Sequence, residues 1–261
     1  MFPQAFSIGD IFLPTYGVMV ALGFLSAIWL TGRLARRSGL NPEQVTNLGV
    51  YGALAGLFGA KLLMLLFDFN YYSKNPGEIF SLGTLQAGGV FYGGLILALG
   101  FAFWIMWRRK LPVPRTLDVF GPGLALGQMF GRIGCFAAGC CWGEKCDRPW
   151  AVTFSDPEAF RLTGVPLEVP LHPTQLYEAA AAALVFGTTF WWFRRPHRDG
   201  SVIGLYLLLT ATARFIVESF RHHQQANPFG WALSNAQWIS IALVVVGAWL
   251  VARKTTEVKL A

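Results

Sequence analysis

LALGQMFGRIGCFAAGCCWG, residues 124–143, decides how this chain is read: its single charged residue is Arg132, and three cysteines follow that arginine within nine positions. An unpaired charge at a bilayer centre costs at least ~2.5–3.5 kcal/mol, so such residues face a protein interior or a water-filled cavity. The rest of the chain must then build that interior.

Composition points to a membrane. Only 13% of the 261 residues are charged and 54% are hydrophobic, where a soluble domain carries about 25% charged residues. Uncharged runs cover 11–32, 44–60, 79–107, 119–131 and 222–252, and at ~1.5 Å per residue several can cross a ~30 Å hydrocarbon layer as helices. Strand-like alternation is absent. The amino end has no basic segment ahead of an apolar run and no small-residue cleavage pattern, so the first helix is expected to remain. The patterning predicts an all-α integral membrane protein, one polytopic domain over 1–261, with about seven spans at 14–32, 45–67, 89–107, 117–140, 175–193, 201–220 and 236–252. A cap at 144–171, carrying Pro149, Pro157, Pro166 and Pro170, is expected between spans 4 and 5.

Charge sets the orientation. Thirteen of the 21 Lys and Arg residues follow spans 1, 3, 5 and 7, and five lie on the opposite side. Basic residues concentrate in cytoplasmic loops, which puts the amino end outside and the carboxyl end inside. The net charge of +7 then suits an anionic inner leaflet and requires no nucleic acid.

The three remaining cations, Lys61, Arg132 and Arg214, fall more than halfway along spans 2, 4 and 6, at similar depth in the outer half. Glu218 lies one turn after Arg214 on the same helical face, and Glu178 is the other carboxylate in the outer half of a span, near the outer end of span 5. Protein acids are therefore expected not to neutralise the set, and the cations predict an anion site. Arginine forks suit phosphate, and phosphate at that depth suggests a phospholipid headgroup. Gly123, Gly127 and Gly131 repeat every four residues before Arg132, as Gly52, Gly56 and Ala60 do before Lys61. Small residues at this spacing let helices approach closely; plain bundle packing is their more common use, and the approach would also bring both cations to a shared interior. Four glycines around Tyr92 in AGGVFYGG, 87–94, predict irregular backbone at the outer end of span 3, tolerated only where protein or cavity surrounds it.

Five segments, GRIGCFAAGCCWG (131–143), HPTQLYE (172–178), YGVMV (16–20), GGVFYGGL (88–95) and ARFIVESFR (213–221), together resemble the prolipoprotein diacylglyceryl transferases of bacterial inner membranes, in the same order over nearly the whole chain. That resemblance implies transfer of the diacylglyceryl group of phosphatidylglycerol to the lipobox cysteine of prolipoprotein signal peptides, forming a thioether and releasing glycerol phosphate. It also implies a site facing the periplasm, a monomer in the lipid bilayer, and no metal or organic cofactor. By position, Arg132 is similar to the family's signature arginine and Arg214 to its second essential arginine, followed by Glu218 and Arg221. Tyr16, Lys61, Gly131, Gly134, Cys135, Cys140, His172, Gln175, Tyr177, Glu178 and Arg221 are implied to line the substrate site. The chain departs from the family pattern where Tyr92 replaces a histidine, Lys61 an arginine and Thr210 a tyrosine. Cys135, Ala138 and Cys140 likewise stand for two asparagines and a glutamate.

The chemistry has two needs. Charge on a leaving phosphate wants preorganised cations, a role assigned to Arg132 and Arg214. The acceptor thiol, with an ordinary pKa near ~8.5, must lose a proton. No histidine lies within a span, so Tyr92, Glu218 or phosphate itself remain as acceptors; Tyr92 alternatively anchors the interface, and Glu218 alternatively holds Arg214. Cys135, Cys140, Cys141 and Cys146 lack CxxC pairing, so no metal is expected. A disulfide through Cys146 and reduced, small apolar thiols are both open. Rival functions are an anion or lipid transporter and a catalytically altered, phospholipid-binding paralogue.

Overall fold

The computed structural model describes residues 4–8, 11–81, 84, 89–221 and 232–253, with side chains from residue 14 onward. The expectations that touched His222, His223, residues 87–88 and the tail after Arg253 lie outside the described residues. Nine α-helices are described: α1 (Thr15–Arg37), α2 (Pro42–Phe67), α3 (Phe69–Lys74), α4 (Phe91–Arg108), α5 (Val113–Ala138), α6 (Pro157–Thr163), α7 (Thr174–Phe193), α8 (Ser201–Glu218) and α9 (Asn235–Ala252). Four short strands accompany them: β1 (Gln4–Ile8), β2 (Ile11–Pro14), β3 (Val152–Thr153) and β4 (Pro170–Leu171). Five helices, α1, α2, α4, α8 and α9, are long and apolar enough to cross a membrane, so the chain is an all-α, multi-span membrane protein. Helices α5 and α7, which carry Arg132 and Glu178, coincide with the other two expected spans.

Two differences from the sequence reading concern the amino end. An antiparallel β1–β2 hairpin with a bulge between Gln4 and Phe6 precedes α1, where no strand was expected. Helix α1 also runs on to Arg37, because arginines in a last turn complement the helix dipole; within it Arg33 stacks 4.0 Å over the Trp29 ring.

The chain divides into two compact units, residues 1–34 with 117–261, and residues 35–116. In the smaller unit, Asn41 caps α2 by accepting from Glu43 N and Gln44 N, and Pro42 opens the helix, a device worth about 1 kcal/mol. Helices α2 and α4 cross backbone to backbone. A Cβ at Gly59 would strike the Gly93 carbonyl and lie 2.7 Å from Leu97 Cβ, whereas Gly52 has open space. Of the Gly52, Gly56 and Ala60 repeat, Gly56 faces α4, where a Cβ would meet Ala98 Cβ at 3.4 Å and Gly94 O at 3.5 Å, while the tightest approach is that of Gly59, outside the repeat, to Gly93.

In the larger unit α1 packs on α5 through glycine. A Cβ at Gly123 would meet Ala27 O at 3.1 Å, and one at Gly134 would meet Met19 Cβ at 2.9 Å, while Gly131 has nothing within 4 Å. Helix α8 begins without a side-chain cap of its own. Buried Asp118 of α5 supplies one from a distance, accepting from Gly200 N at 2.6 Å and Ile203 N at 2.8 Å. Gly204 and Gly247 bring α8 and α9 together, since a Cβ at Gly247 would lie 2.7 Å from Gly204 O. The 144–171 segment has a small core of Phe154, Ala159, Val165 and Leu171. Asp156 caps its helix α6 and Gly164, at φ +70°, closes it.

Candidate active site

The site begins where α5 ends. Gly139, at φ +75°, takes the left-handed conformation that terminates a helix, and the amides of Gly139 and Cys140 donate to Phe136 O at 3.2 Å and Cys135 O at 3.1 Å. This is a Schellman closure, and it turns Cys140 back beside Cys135. Cys141 is left-handed as well, at φ +63°, although it is not glycine. The amino end of α7 holds this turn: Gln175 Nε2 donates to Cys140 O at 2.7 Å and Thr174 Oγ1 to Cys141 O at 2.8 Å, both side chains being fully buried. Gly143 sits where three segments meet, its amide donating to His172 O at 2.9 Å while Glu144 N donates to Phe220 O at 2.9 Å. A Cβ on Gly143 would lie 2.7 Å from His172 Cβ.

This scaffold places three guanidiniums around two carboxylates. Arg132 Nε lies 2.6 Å from Glu178 Oε2, and Arg214 Nη1 lies 2.6 Å from Glu178 Oε1. Arg221 Nη1 approaches Glu178 Oε1 at 3.5 Å, and Arg214 Nη2 pairs with Glu218 Oε2 at 2.7 Å. Ser234 Oγ donates to Glu218 Oε1 at 2.9 Å, and Ser234 also forms a capping box with Gln237 at the start of α9. The two carboxylates are nearly buried, whereas Arg132 and Arg214 are 31% and 29% exposed. Three cations against two anions leave one net positive charge beside an open face.

Protein acids pair with these arginines without neutralising all of them. Glu178, read from sequence as lining the substrate site, is the shared acceptor of Arg132, Arg214 and Arg221. The two principal arginines are also not equivalent. Arg214 commits both terminal nitrogens to carboxylates, whereas Arg132 meets Glu178 through Nε, which leaves its terminal fork for another acceptor. Glu218, named as a possible proton acceptor or as the holder of Arg214, pairs with Arg214 and accepts from Ser234. The signal for Ser234 was legible, since Ser-Asn-Ala-Gln at 234–237 is a capping-box pattern.

Tyr16 joins this neighbourhood, since a Cβ on Gly134 would lie 3.4 Å from its Cδ2. His172 Nδ1 lies 3.1 Å from Tyr177 Oη, which accepts from Trp150 Nε1 at 2.8 Å. This polar chain ties the cap to α7, and sequence reasoning did not anticipate Trp150 or Thr174. Pro173 is the residue before α7. Lys61 and Tyr92 belong to the smaller unit. There Lys61 Nζ donates to Thr84 O at 2.6 Å, and Tyr92, in the first turn of α4, is 53% exposed and packs edge-on to Phe91. All four cysteines are free thiols, and the Sγ atoms of Cys135, Cys140 and Cys141 lie within 4.8 Å of one another.

A family model described as prolipoprotein diacylglyceryl transferase matches residues 3–253. The phosphatidylglycerol–prolipoprotein diacylglyceryl transferase of Clostridium tetani is 32% identical over 250 residues, covering 96% of both chains. The protein of that name from Nitratidesulfovibrio vulgaris strain Miyazaki F is 36% identical over 96% of this chain and 93% of its own, and the one from Vibrio vulnificus is 35% identical over 96% and 90%. A match over almost the whole length, including the segments that build the arginine network, means that this chain belongs to the prolipoprotein diacylglyceryl transferase family.

Proposed function

We propose that this transferase moves the diacylglyceryl group of phosphatidylglycerol to the lipobox cysteine thiol of prolipoprotein signal peptides, with glycerol phosphate as leaving group. The observation that carries this reading is the excess of guanidinium over carboxylate in a network whose arginines are part-exposed. Attack by sulfur on a saturated glyceryl carbon expels a phosphate monoester, so negative charge grows on phosphate as the C–O bond breaks. Cations already fixed in place stabilise that charge without reorganising. Glu178 and Glu218 orient the set; Arg132 presents its terminal fork to the phosphate, and Arg214, with five N–H donors, adds charge while bridging the two acids. Gly131, with open space beside its backbone, allows the lipid to approach Arg132. Tyr16 and the His172–Tyr177 pair line the way in for the acceptor peptide, and Arg221 adds positive charge at the mouth.

The long helices and the basic residues following α1, α4, α7 and α9 support seven spans in a bacterial inner membrane, amino end outward, with the site facing the periplasm. The chain acts as a monomer, and lipid, peptide and bilayer are its partners. Within the smaller unit Lys61 supplies positive charge, and Tyr92 anchors the interface. Purified protein, phosphatidylglycerol and a lipobox peptide test the reading. A diacylglyceryl thioether is expected from the parent, and none from Arg132→Ala or Arg214→Ala variants that insert normally. Solute flux without thioether, or lipid binding alone, would replace the proposal with transport or with an inactive lipid-binding role. Near-parental transfer by either variant would remove that arginine from the phosphate site.

A further inference from the structure

We infer that the cysteine turn after α5 is a thiol–disulfide switch on the transferase, with a Cys135–Cys140 disulfide as its slowed state; this rests on the outward-facing, thiol-alkylating reading above. The Sγ atoms of Cys135, Cys140 and Cys141 lie within 4.8 Å of one another, and all three are free thiols. Cys146, buried in the cap, does not join the group. Compartments outside the cytoplasm form and keep disulfides, so thiols packed together on that side react with one another once one of them is oxidised.

Geometry selects the pair. Cys140 and Cys141 are adjacent in sequence, and neighbouring Cα atoms across a trans peptide are about 3.8 Å apart, short of the roughly 4.4–6.8 Å that a disulfide spans. Cys135 and Cys140 are joined instead by the amide-to-carbonyl bond of 3.1 Å that closes α5, which folds the chain back on itself. An S–S bond is about 2.05 Å long, so side-chain rotation closes what separates their sulfurs.

Exposure sets the order of events. Cys135 is 8% exposed, whereas Cys140 is part-exposed. The Cys140 sulfur, as thiolate, attacks one sulfur of a disulfide-bearing oxidant; the oxidant's S–S bond breaks, a mixed disulfide forms, and the first oxidant thiolate leaves and takes up the proton that Cys140 lost. Cys135 then attacks the Cys140 sulfur, the mixed S–S bond breaks, the Cys135–Cys140 bond forms, and the second oxidant thiolate leaves with the proton of Cys135. Two protein thiols are oxidised and one disulfide is reduced to two thiols. Thiolates carry out this exchange and positive surroundings favour them; Arg132, one helical turn before Cys135, belongs to a network with one net positive charge.

The bond works against the scaffold. Gln175 Nε2 and Thr174 Oγ1, on buried side chains, hold the Cys140 and Cys141 carbonyls at 2.7 Å and 2.8 Å, and Cys141 is left-handed at φ +63°. Drawing Cys140 onto Cys135 pulls on this anchored turn, and strained or exposed disulfides are the labile, regulatory class. The same bond fixes the helix end that presents Arg132, which slows transfer. The acceptor is a thiol of the same compartment, so the switch tracks the thiol–disulfide balance that decides whether an acceptor is free to be alkylated.

The test incubates the full chain in detergent with oxidised glutathione or with dithiothreitol, then removes either reagent. Free thiols are alkylated with a light reagent and those released by reduction with a heavy one, and mass spectrometry reads positions 135, 140, 141 and 146. The expected oxidised chain carries heavy label at Cys135 and Cys140, light label at Cys141, and no retained glutathione. Its initial rate of transfer to a reduced lipobox peptide is roughly fivefold or more below that of the reduced chain, and dithiothreitol restores it. With each variant compared with itself in the two states, Cys140→Ser loses cross-link and response together, Cys141→Ser keeps both, and Cys135→Ser stops at the glutathione adduct. Glutathione retained on parent Cys140, or a bond through Cys146, overturns the pairing. Closure of the bond with a smaller change in rate overturns the switch and leaves the transferase reading standing. A chain that closes the bond yet forms no thioether when reduced supports the redox pair and overturns the transferase reading.

Discussion

Glu178→Gln tests most directly whether the arginines work as a set. In the parent, Glu178 accepts charge-assisted contacts of 2.6 Å from Arg132 and 2.6 Å from Arg214. Glutamine keeps one carbonyl acceptor and turns the other oxygen into an amide donor facing a guanidinium. One charge-assisted bond is lost, worth about 1.5–3 kcal/mol. Because the arginines are 31% and 29% exposed, water recovers part of this, and the upper end is discounted to about 2.5 kcal/mol. If the lost energy is what held the arginines in productive geometry, transfer slows by roughly 10- to 70-fold at 1.36 kcal/mol per factor of ten. Initial rates of thioether formation on a fluorescent lipobox peptide, with phosphatidylglycerol in mixed micelles, measure this, and thermal unfolding in the same detergent gives the stability change. A variant that loses stability but transfers within twofold of the parent would show that Glu178 braces the helices without organising the phosphate site.

Gly93→Ala and Gly100→Ala should have opposite signs. Alanine ordinarily favours a helix by about 1 kcal/mol over glycine, so Gly100, with nothing within 4 Å, gains stability on heating, while Gly93, whose Cβ would strike the Gly59 carbonyl, loses it. Asp118→Ala removes both acceptors from the first turn of α8 and should cost about 1–3 kcal/mol, read as a lower unfolding temperature that Asp118→Asn partly restores. Gln175→Leu leaves the Cys140 carbonyl without its side-chain donor and should speed alkylation of Cys140 and Cys141 severalfold, followed by mass spectrometry.

Much of the architecture was legible because a bilayer imposes severe rules on sequence. Long uncharged runs fix helices, and isolated cations within them must have a reason. The segments around Arg132 and Arg214 could therefore be singled out before any coordinates, and so could the i,i+4 pairing of Arg214 with Glu218. The amino-terminal hairpin was missed because a few residues of strand leave too little alternation to stand out from an apolar background. The cap's strands, two residues each, leave none.

Sequence by itself determined a helical membrane chain with buried positive charge and a cysteine-rich turn at the end of one helix. Which carboxylate meets which arginine was decided only in three dimensions. Glu178 is 46 residues from Arg132 and 36 from Arg214, and no local periodicity encodes an approach set by how α5, α7 and α8 pack. The cysteines follow the same logic: their spacing matches no familiar ligand pattern, yet a left-handed glycine and two buried side chains from α7 fold the turn until three sulfurs converge.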